Sequence, residues 1–195
     1  MILWINGTFG AGKTQTAEEL HRRIPGSFVY DPENVGYWIR ENEPKSMQAD
    51  NFQDEPLWRS VNRDMLLHLA ANFDGVILVP MTLVNAQYYH EIITAVRENG
   101  VDLRHFLLYP SADTVKKRLA SRGESEKSWA WRQVGRCYAA FDDPVFENRI
   151  ENDGMTIPET AEAIAEKAGI PLTPRDGRLT QKINRWKTIL RAIRK

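Results

Sequence analysis

The feature that most constrains the fold of this chain is the segment GTFGAGKT at residues 7–14, which matches the pattern G-x-x-x-x-G-K-[ST]. An apolar run at residues 2–6 precedes it, and a segment with helical periodicity follows it. Glycines at these positions let the backbone curl until its N–H groups and the N-terminus of the next helix face phosphate oxygens. The segment therefore predicts a phosphate loop between a strand and a helix.

The side chains of this loop predict a bound nucleotide. Lys13 is placed to reach β- and γ-phosphates, and Thr14 is placed to offer its hydroxyl to Mg²⁺. We therefore predict ATP and Mg²⁺ as cofactors, Lys13 as a catalytic residue and Thr14 as the metal ligand. The predicted nucleotide contacts are Gly7, Thr8, Phe9, Gly10, Ala11, Gly12, Lys13, Thr14 and Gln15.

The rest of the chain alternates apolar, β-branched runs with longer segments of helical period, which is typical of a parallel sheet with crossover helices. Strands are predicted near residues 2–6, 27–30, 76–80, 103–109 and 149–151. Helices are predicted near residues 13–23, 32–40, 56–72, 86–98, 112–121, 128–140 and 158–167. These elements predict an α/β three-layer sandwich around a five-stranded parallel sheet.

Two large classes of phosphate-loop protein are disfavoured. A GTPase would carry N-K-x-D and D-x-x-G segments, and the sequence contains neither. A motor-type ATPase would carry an apolar strand that ends in an acid, whereas GVILVPMT ends in Pro80, Met81 and Thr82. A small-molecule kinase is the class that fits best.

The second predicted strand ends in FVYDPE, and the carboxyl ends of parallel strands face the ligand crevice. Asp31 would lie there, beside the phosphate loop, where a carboxylate could accept a proton from an attacking hydroxyl or help to hold hydrated Mg²⁺. We predict Asp31 as a catalytic and acceptor-facing residue. The alternative is a helix N-cap, with Pro32 as the first helical residue.

An arginine-rich segment, residues 118–136, is interpreted as a kinase lid. Arg118 and Arg122 are four residues apart, as are Arg132 and Arg136, so each pair shares a helical face. Arg118 and Arg122 are predicted to stabilise charge on the transferred phosphoryl group. The alternative is a solvated helical hairpin with structural ion pairs. The pattern favours packing for Trp129 in this segment.

A third region, NFQDEPLWRSVNRD, lies where small-molecule kinases carry their acceptor-binding insert. Aromatic side chains there could contact a planar ring, and polar side chains could select between rings. Simple core packing is the alternative for each aromatic residue. The predicted substrate-binding residues are Asp31, Tyr37, Phe52, Gln53, Trp58, Arg59 and Thr82.

The C-terminus is basic although the formal net charge of the chain is zero. Residues 175–195 carry eight basic side chains and one acid, and Leu179, Ile183, Trp186, Leu190 and Ile193 are spaced to form one helical stripe. This pattern predicts an amphipathic helix, residues 178–195, on an anionic membrane surface. Packing on the acidic body and nucleic-acid binding are the alternatives, the second without supporting motifs. The predicted domains are residues 1–172, and a linker with the tail at residues 173–195.

Several segments together resemble the tunicamycin resistance proteins, a bacterial family of phosphate-loop ATP-binding proteins. They are WINGTFGAGKTQTA, YDPE, FQDEPLWR, VPMT, SWAWRQVGRC and the basic tail. The resemblance implies a nucleoside-monophosphate-kinase-like fold, ATP binding at residues 7–14 and an acceptor-facing Asp31. It also implies resistance to a uridine-containing, lipid-linked antibiotic, and peripheral attachment to the inner face of the cytoplasmic membrane.

The leading hypothesis is an ATP-binding tunicamycin resistance protein that captures the drug and phosphorylates one of its hydroxyls. The alternatives are nucleotide-gated sequestration of the drug without catalysis, and a housekeeping kinase for a nucleotide or small metabolite. No signal peptide is expected in MILWING, and the single Cys137 fits a reducing cytosol.

Overall fold

The computed structural model describes residues 1–177 and 180 and is built on a five-stranded parallel sheet. The strands are β1 (Ile2–Gly7), β2 (Phe28–Val29), β3 (Ile77–Pro80), β4 (Leu103–Leu108) and β5 (Arg149–Ile150). Their order in the sheet is β2-β3-β1-β4-β5, and every neighbouring pair is parallel. The predicted α/β fold with five parallel strands is confirmed.

Helices connect the strands near the predicted positions. They are α1 (Lys13–Arg23), α2 (Glu33–Asn42), α3 (Pro56–Asn72), α4 (Ala86–Tyr89), α5 (Ala95–Glu98), α6 (Ala112–Ala120), α7 (Trp129–Ala140) and α8 (Ile157–Ala168). Two details differ from the predictions. A π-helical turn, His90–Thr94, separates α4 from α5 where one α-helix was expected. A 3-10 turn at Phe52–Asp54, which the sequence pattern did not indicate, precedes α3.

The core lies on both faces of the sheet because side chains along a strand alternate between the two faces. On β1, Ile2 and Trp4 belong to one apolar cluster, and Leu3 and Ile5 belong to the other. All four side chains are fully buried. Helices α1 and α8 contribute to the second cluster, and α3 contributes to the first. These layers place the phosphate loop, which follows β1, at the centre of the carboxyl edge of the sheet.

The chain after α8 runs to the end of the sheet that lies away from the phosphate loop. Helix α1 starts at the phosphate loop, and its 11 residues span about 16 Å, so Arg23 lies at the far end. The Thr173 N–H donates to Arg23 O (2.9 Å), and the Arg23 Nε donates to Thr173 O (2.9 Å). The predicted linker is therefore hydrogen-bonded to the body at its beginning.

The predicted membrane helix, residues 178–195, lies outside the residues that the structure describes, apart from Thr180. The domain boundary at residues 172–173 stays a prediction. Within the described part of the chain, no helix combines the length and the apolar character needed to cross a bilayer.

Candidate functional site

The phosphate loop requires glycine for two different reasons. Gly12, which caps α1, has φ +106°, a value that other residues rarely adopt. At Gly7, a Cβ atom would come within 2.8 Å of the Leu108 carbonyl oxygen, so the loop could not lie this close to β4 with a larger residue. The loop is closed by the Ala11 N–H, which donates to Thr8 O at 3.1 Å.

Asn6, the residue before the loop, fixes it to the neighbouring strands. Its Oδ1 accepts from the Gly7 N–H (2.8 Å) and the Leu83 N–H (2.9 Å), and its Nδ2 donates to Leu83 O (2.8 Å). The same Nδ2 lies 3.1 Å from Nε2 of His105, whose Nδ1 lies 3.2 Å from Glu147 O. Both side chains are fully buried. Burial lowers the pKa of His105 to about 3, so this imidazole is neutral and Nε2 accepts from Asn6.

Lys13 is half-buried against the loop that it follows. Its Nζ donates to Thr8 O at 3.1 Å and lies 5.5 Å from the centre of the Phe9 ring. Burial lowers the pKa of Lys13 to about 8, and the negative charge of Glu33 acts against that shift. A partly desolvated ammonium at the start of a helix attracts anions strongly, since little solvent competes for it.

The other predicted nucleotide contacts lie in the phosphate loop or in the first turn of α1. Thr14 is exposed in the first turn of α1, and Gln15 lies one residue further along the same turn. Gly10 packs against α6, where a Cβ atom would come within 3.3 Å of Leu119 Cγ. Helix α1 has no acidic residue in its first turn and no side-chain hydrogen bond at its cap. The positive end of the α1 dipole therefore points at the phosphate loop, and no acidic side chain in the first turn of α1 offsets it.

Asp31 lies just beyond β2, at the same edge of the sheet. Its Oδ1 accepts from the Glu33 N–H at 3.1 Å, but Pro32 occupies the cap position of the helix, so the N-cap alternative for Asp31 was wrong by one position. The helix begins at Glu33 instead of Pro32, so the prediction that Pro32 is the first helical residue was wrong by one position. The Tyr37 hydroxyl donates to Glu33 Oε2 at 3.3 Å. This edge thus carries a second carboxylate, Glu33, that the sequence analysis did not select.

Arg118 contacts the phosphate loop from α6. Its Nη1 donates to Ala11 O (3.1 Å) and its Nη2 donates to Asn152 O (3.1 Å). Asn152, only 1% exposed, also donates its Nδ2 to Ala11 O at 3.1 Å. The guanidinium thus contacts the backbone of the phosphate loop, which gives Arg118 a positioning role, and its predicted catalytic role stays a prediction.

Arg122 follows α6 and is exposed, and its positive charge contributes to the lowered pKa of Lys13. Arg136, on α7, lines a cleft beside the loop. Of the arginines in the predicted lid, these two are placed to influence a ligand at this edge.

The cleft is formed by the phosphate loop, α7 and the segment before α3. Gln53 and Thr82 line it, as predicted for substrate contacts, together with Phe9 of the loop. Thr82 Oγ1 donates to Gly7 O at 2.9 Å, which ties the end of β3 to the loop. The other lining residues are Asn51, Val84, Trp129, Gln133, Arg136 and Cys137. Burial raises the pKa of the Cys137 thiol, so it is protonated at neutral pH.

Other predicted substrate residues support the cleft from behind. Trp58 is fully buried, and its Nε1 donates to Pro32 O at 3.0 Å. Arg59 is 8% exposed and forms an ion pair with Glu91. These contacts give Trp58 and Arg59 structural roles, and their predicted ligand contacts stay predictions.

Phe52 and Tyr37 lie between these positions and the surface. The two rings make an edge contact with their centres 6.3 Å apart, and the centres of Phe52 and Trp58 lie 5.5 Å apart. Phe52 also lies directly on Gly36, where a Cβ atom would come within 2.6 Å of it. Tyr37 is 37% exposed and stays a candidate contact for substrate.

Comparisons with known proteins show the family of this chain. The AAA domain family matches residues 2–143. The tunicamycin resistance protein of Deinococcus radiodurans is 30% identical, with a TM-score of 0.78, over 89% of this chain and 98% of its own. The chain belongs to the AAA domain family and to the tunicamycin resistance proteins. A comparison with curated proteins found no match.

Two kinases share the fold of this chain at lower identity. The APS kinase of Mycobacterium tuberculosis, solved with AMPPNP and APS, is 17% identical with a TM-score of 0.54, over 86% of this chain and 96% of its own. The shikimate kinase of Bacteroides thetaiotaomicron is 16% identical with a TM-score of 0.58, over 87% and 99%. The chain therefore has a phosphate-loop kinase-like fold.

Several residues of the site were missed from the sequence. Trp129, Gln133 and Arg136 are spaced by four and three residues, which places them on one face of α7. The spacing therefore indicates a shared face that includes Trp129 and Gln133. The sequence prediction placed only Arg132 and Arg136 on one face and interpreted Trp129 as a packing residue. Asn6 and Asn152 gave no local signal, since their roles depend on strand order and on the loop after β5.

Proposed function

We propose that this protein is an ATP-dependent resistance protein that captures a uridine-containing amphiphile such as tunicamycin and phosphorylates one of its hydroxyls. The observation that carries the proposal is that three features lie at the carboxyl edge of the sheet. They are Lys13 at the start of α1, Asp31 after β2 and the cleft lined by Gln53. The similar protein from Deinococcus radiodurans is a tunicamycin resistance protein, which supports the choice of ligand.

The loop fits the polyphosphate of a nucleotide. Gly12 at φ +106° opens the backbone at the start of α1, and the half-buried Lys13 supplies a positive charge. The exposed hydroxyl of Thr14 would hold Mg²⁺, which supplies charge neutralisation at the phosphates when it is bound. Both groups lie in the first turn of the same helix, so one site would bind the metal and the phosphates together.

In the proposed reaction, residues of this chain position the acceptor hydroxyl and neutralise the charge of the phosphates. Lys13 and the loop N–H groups bind the phosphates of ATP, and Arg122 adds positive charge from the hairpin. Asp31 orients the acceptor hydroxyl and accepts its proton as the oxygen bonds to the γ-phosphorus. The bond from that phosphorus to the bridging oxygen breaks, and ADP leaves. Arg118 acts indirectly, since it holds the Ala11 carbonyl and thereby the shape of the loop.

The direct test of this proposal is chemical. Incubating the full-length protein with tunicamycin and Mg-ATP is expected to give a drug species heavier by one phosphoryl group in mass spectrometry, with an equal amount of ADP. Asp31→Asn should slow the appearance of this species by about 100-fold or more, the range for loss of a general base. Absence of the adduct with tight drug binding would contradict the transfer step.

One observation favours a second function, nucleotide-gated sequestration without transfer. After β3 the chain continues with Met81 and Thr82, both buried, where many phosphate-loop ATPases carry an acid. A protein that only sequesters the drug should keep its protection against tunicamycin in cells when Asp31 is replaced by Asn. A kinase should lose it, so cell survival with this variant separates the two functions.

We further propose that residues 178–195 hold the protein at an anionic membrane surface on the cytoplasmic side, next to an amphiphilic ligand. The support comes from sequence: seven basic residues and no acid in this segment, with an apolar stripe at helical spacing. In this proposal residues 1–172 form the nucleotide-binding body and residues 173–195 the linker and attachment helix.

A further inference from the structure

We propose that the cleft beside the phosphate loop is a subsite for a planar ring with an N–H between two carbonyl groups, the edge that uracil presents in uridine. Trp129 would stack on the ring, and Gln53 would accept the hydrogen bond from the N–H. The inference rests on the proposed function in one respect: it takes the cleft to hold the acceptor. It adds the place where the ring binds and the residues that recognise it.

Gln53 is fixed on three sides. Its Nε2 donates to Thr82 O at 2.7 Å, its backbone N–H donates to Asn51 Oδ1 at 3.2 Å, and its backbone carbonyl accepts from Arg59 Nη1 at 2.8 Å. The residue is 8% exposed. An amide held in this way is preorganised, so binding a ligand would lose little side-chain entropy at this position.

Arg59 is itself held firmly behind Gln53. It forms an ion pair with Glu91, and its guanidinium carbon lies 4.2 Å from the centre of the Tyr88 ring. The Tyr88 hydroxyl donates to Asp54 Oδ1 at 2.9 Å, next to the same turn. Several elements therefore combine to orient one amide group at the wall of the cleft.

The orientation determines what this amide can recognise. Because Nε2 donates to the Thr82 carbonyl, the protein fixes the orientation of the amide, and Oε1 is the acceptor that remains for a ligand in the cleft. An acceptor pairs with the N3–H of uracil. In cytosine the same ring position is itself an acceptor, so two lone pairs would face each other. A buried polar group left without its partner discriminates strongly between ligands.

Trp129 supplies a surface for the face of the ring. It is 56% exposed although it lines the cleft, and its ring meets Phe9 edge-on with the centres 4.7 Å apart. Ser128 caps α7 by accepting from the Trp131 N–H at 3.3 Å, which defines where Trp129 begins the helix. An exposed aromatic face at the entrance of a polar cleft is suited to stack a heterocycle.

The next turns of α7 complete the polar lining. Gln133 Oε1 accepts from Arg136 Nη1 at 3.4 Å, so these two side chains form a pair on the face that carries Trp129. Both offer N–H donors, which suit the carbonyl oxygens on either side of a uracil N3–H. The donors and the Gln53 acceptor together match an imide edge better than an aminopyrimidine edge.

The test uses calorimetric titration of the full-length protein with uridine, 3-methyluridine and cytidine, in the presence of Mg²⁺ and a non-hydrolysable ATP analogue. Uridine should bind at least about tenfold more tightly than the other two, because each lacks the N3–H donor. Gln53→Leu should remove that preference. Trp129→Ala should weaken uridine binding by at least about fivefold, the lower end for loss of base stacking.

Trp38→Ala is the matched control, since Trp38 is 57% exposed on α2, outside the cleft lining, and should bind uridine like the wild type. Trp129→Phe keeps an aromatic face and should recover most of the affinity. Melting temperatures of all variants separate misfolding from loss of contact. Equal binding of uridine and 3-methyluridine by the wild type, or no uridine binding at millimolar concentration, would overturn the inference.

The two proposals fail in different ways. These titrations need no phosphoryl transfer, so a protein that binds uridine as expected but never phosphorylates tunicamycin would keep the inference and lose the kinase step. Conversely, wild-type phosphorylation of tunicamycin by both Gln53→Leu and Trp129→Ala would keep the kinase step and exclude this ring subsite.

Discussion

Lys13 links nucleotide binding to pH at the scale of a single residue. Its pKa is lowered to about 8 by burial, whereas bound phosphates would raise it, because they favour the ammonium form. Above pH 8 the free protein loses a proton that it must regain on binding. The dissociation constant of a non-hydrolysable ATP analogue should therefore be flat below about pH 7.5 and rise above pH 8, approaching about tenfold per pH unit.

Titration calorimetry from neutral to alkaline pH measures this effect, and Lys13→Arg is the matched variant. An arginine keeps its charge over the whole range, so the variant should show a flat profile even if its affinity is lower. The same rise in both proteins would mean that another group controls the pH dependence.

His105 gives a second prediction at this scale. Its pKa is about 3 in the folded protein and 6.5 without burial, so between these values the unfolded chain binds the additional proton. The free energy of unfolding should therefore fall as the pH drops below 6.5, by about 1.4 kcal/mol per pH unit from this residue. Urea unfolding between about pH 5 and pH 6.5 measures the slope, above the range in which most carboxylates titrate.

His105→Gln should remove that part of the slope, since an amide does not titrate. His68→Gln changes an exposed histidine and should leave the slope as it is. An unchanged slope in His105→Gln would show that the imidazole does not hold its neutral form on folding.

At the scale of elements, one carboxylate connects the linker to α1 and α8, in addition to the hydrogen bonds between Thr173 and Arg23. Glu162 of α8 accepts from Arg23 Nη1 at 2.9 Å and from Arg175 Nε at 2.6 Å. Hydrogen bonds from Arg175, and then from Arg23, lower the pKa of Glu162 to about 2. The stability from this carboxylate is present above pH 4.5 and is lost as the pH falls towards 2.

Glu162→Gln should release Arg175 from α8 without unfolding the body, while the hydrogen bonds between Thr173 and Arg23 remain. The pair with Arg175 is more than one-third exposed on both sides, so the loss in unfolding free energy should be small, on the order of 1 kcal/mol. Tryptic cleavage after Arg175 should become several-fold faster at neutral pH. Glu166→Gln, an exposed acid on the same helix, should cleave like the wild type. Equal cleavage rates for all three proteins would contradict this role of Glu162.

The sequence predicted elements better than the contacts between them. The strands and the phosphate loop were identified because strand periodicity and the glycine pattern are local. The contacts that Arg118 and Trp58 make were not predicted, because the spacing of a residue does not tell which neighbour it meets once α6 or α3 packs on the sheet. The Asn6–His105 contact likewise exists only because β1 and β4 are neighbours in a register that pairs Asn6 with Leu107.

At the scale of the whole molecule, the charge of the chain is divided between body and tail. Residues 178–195 carry seven basic side chains and no acid, on a chain with zero formal net charge. A protein truncated after Gly177 should therefore lose co-sedimentation with vesicles that contain anionic lipid, while its affinity for an ATP analogue stays the same. Anionic lipid contributes about 1 kcal/mol per basic residue near the surface, so the effect should weaken at high salt.

The control variant keeps the basic charge of residues 178–195 and removes part of their apolar stripe. Ile183→Gln with Leu190→Gln retains every basic residue, so partial binding to anionic vesicles would separate the apolar from the electrostatic contribution. Neutral vesicles should bind none of the three proteins strongly. Undiminished lipid binding after truncation would exclude the tail as the attachment segment.

The pairing of Thr173 with Arg23 has a mechanical consequence. It fastens the start of the linker to the last residue of α1, and the first residue of the same helix is Lys13. A helix is stiff along its axis. Tension applied to the C-terminal segment would therefore act on the Arg23 end of α1, and the opposite end of that helix adjoins the phosphate loop. Under the proposed function, membrane attachment and nucleotide binding would therefore be mechanically coupled through α1.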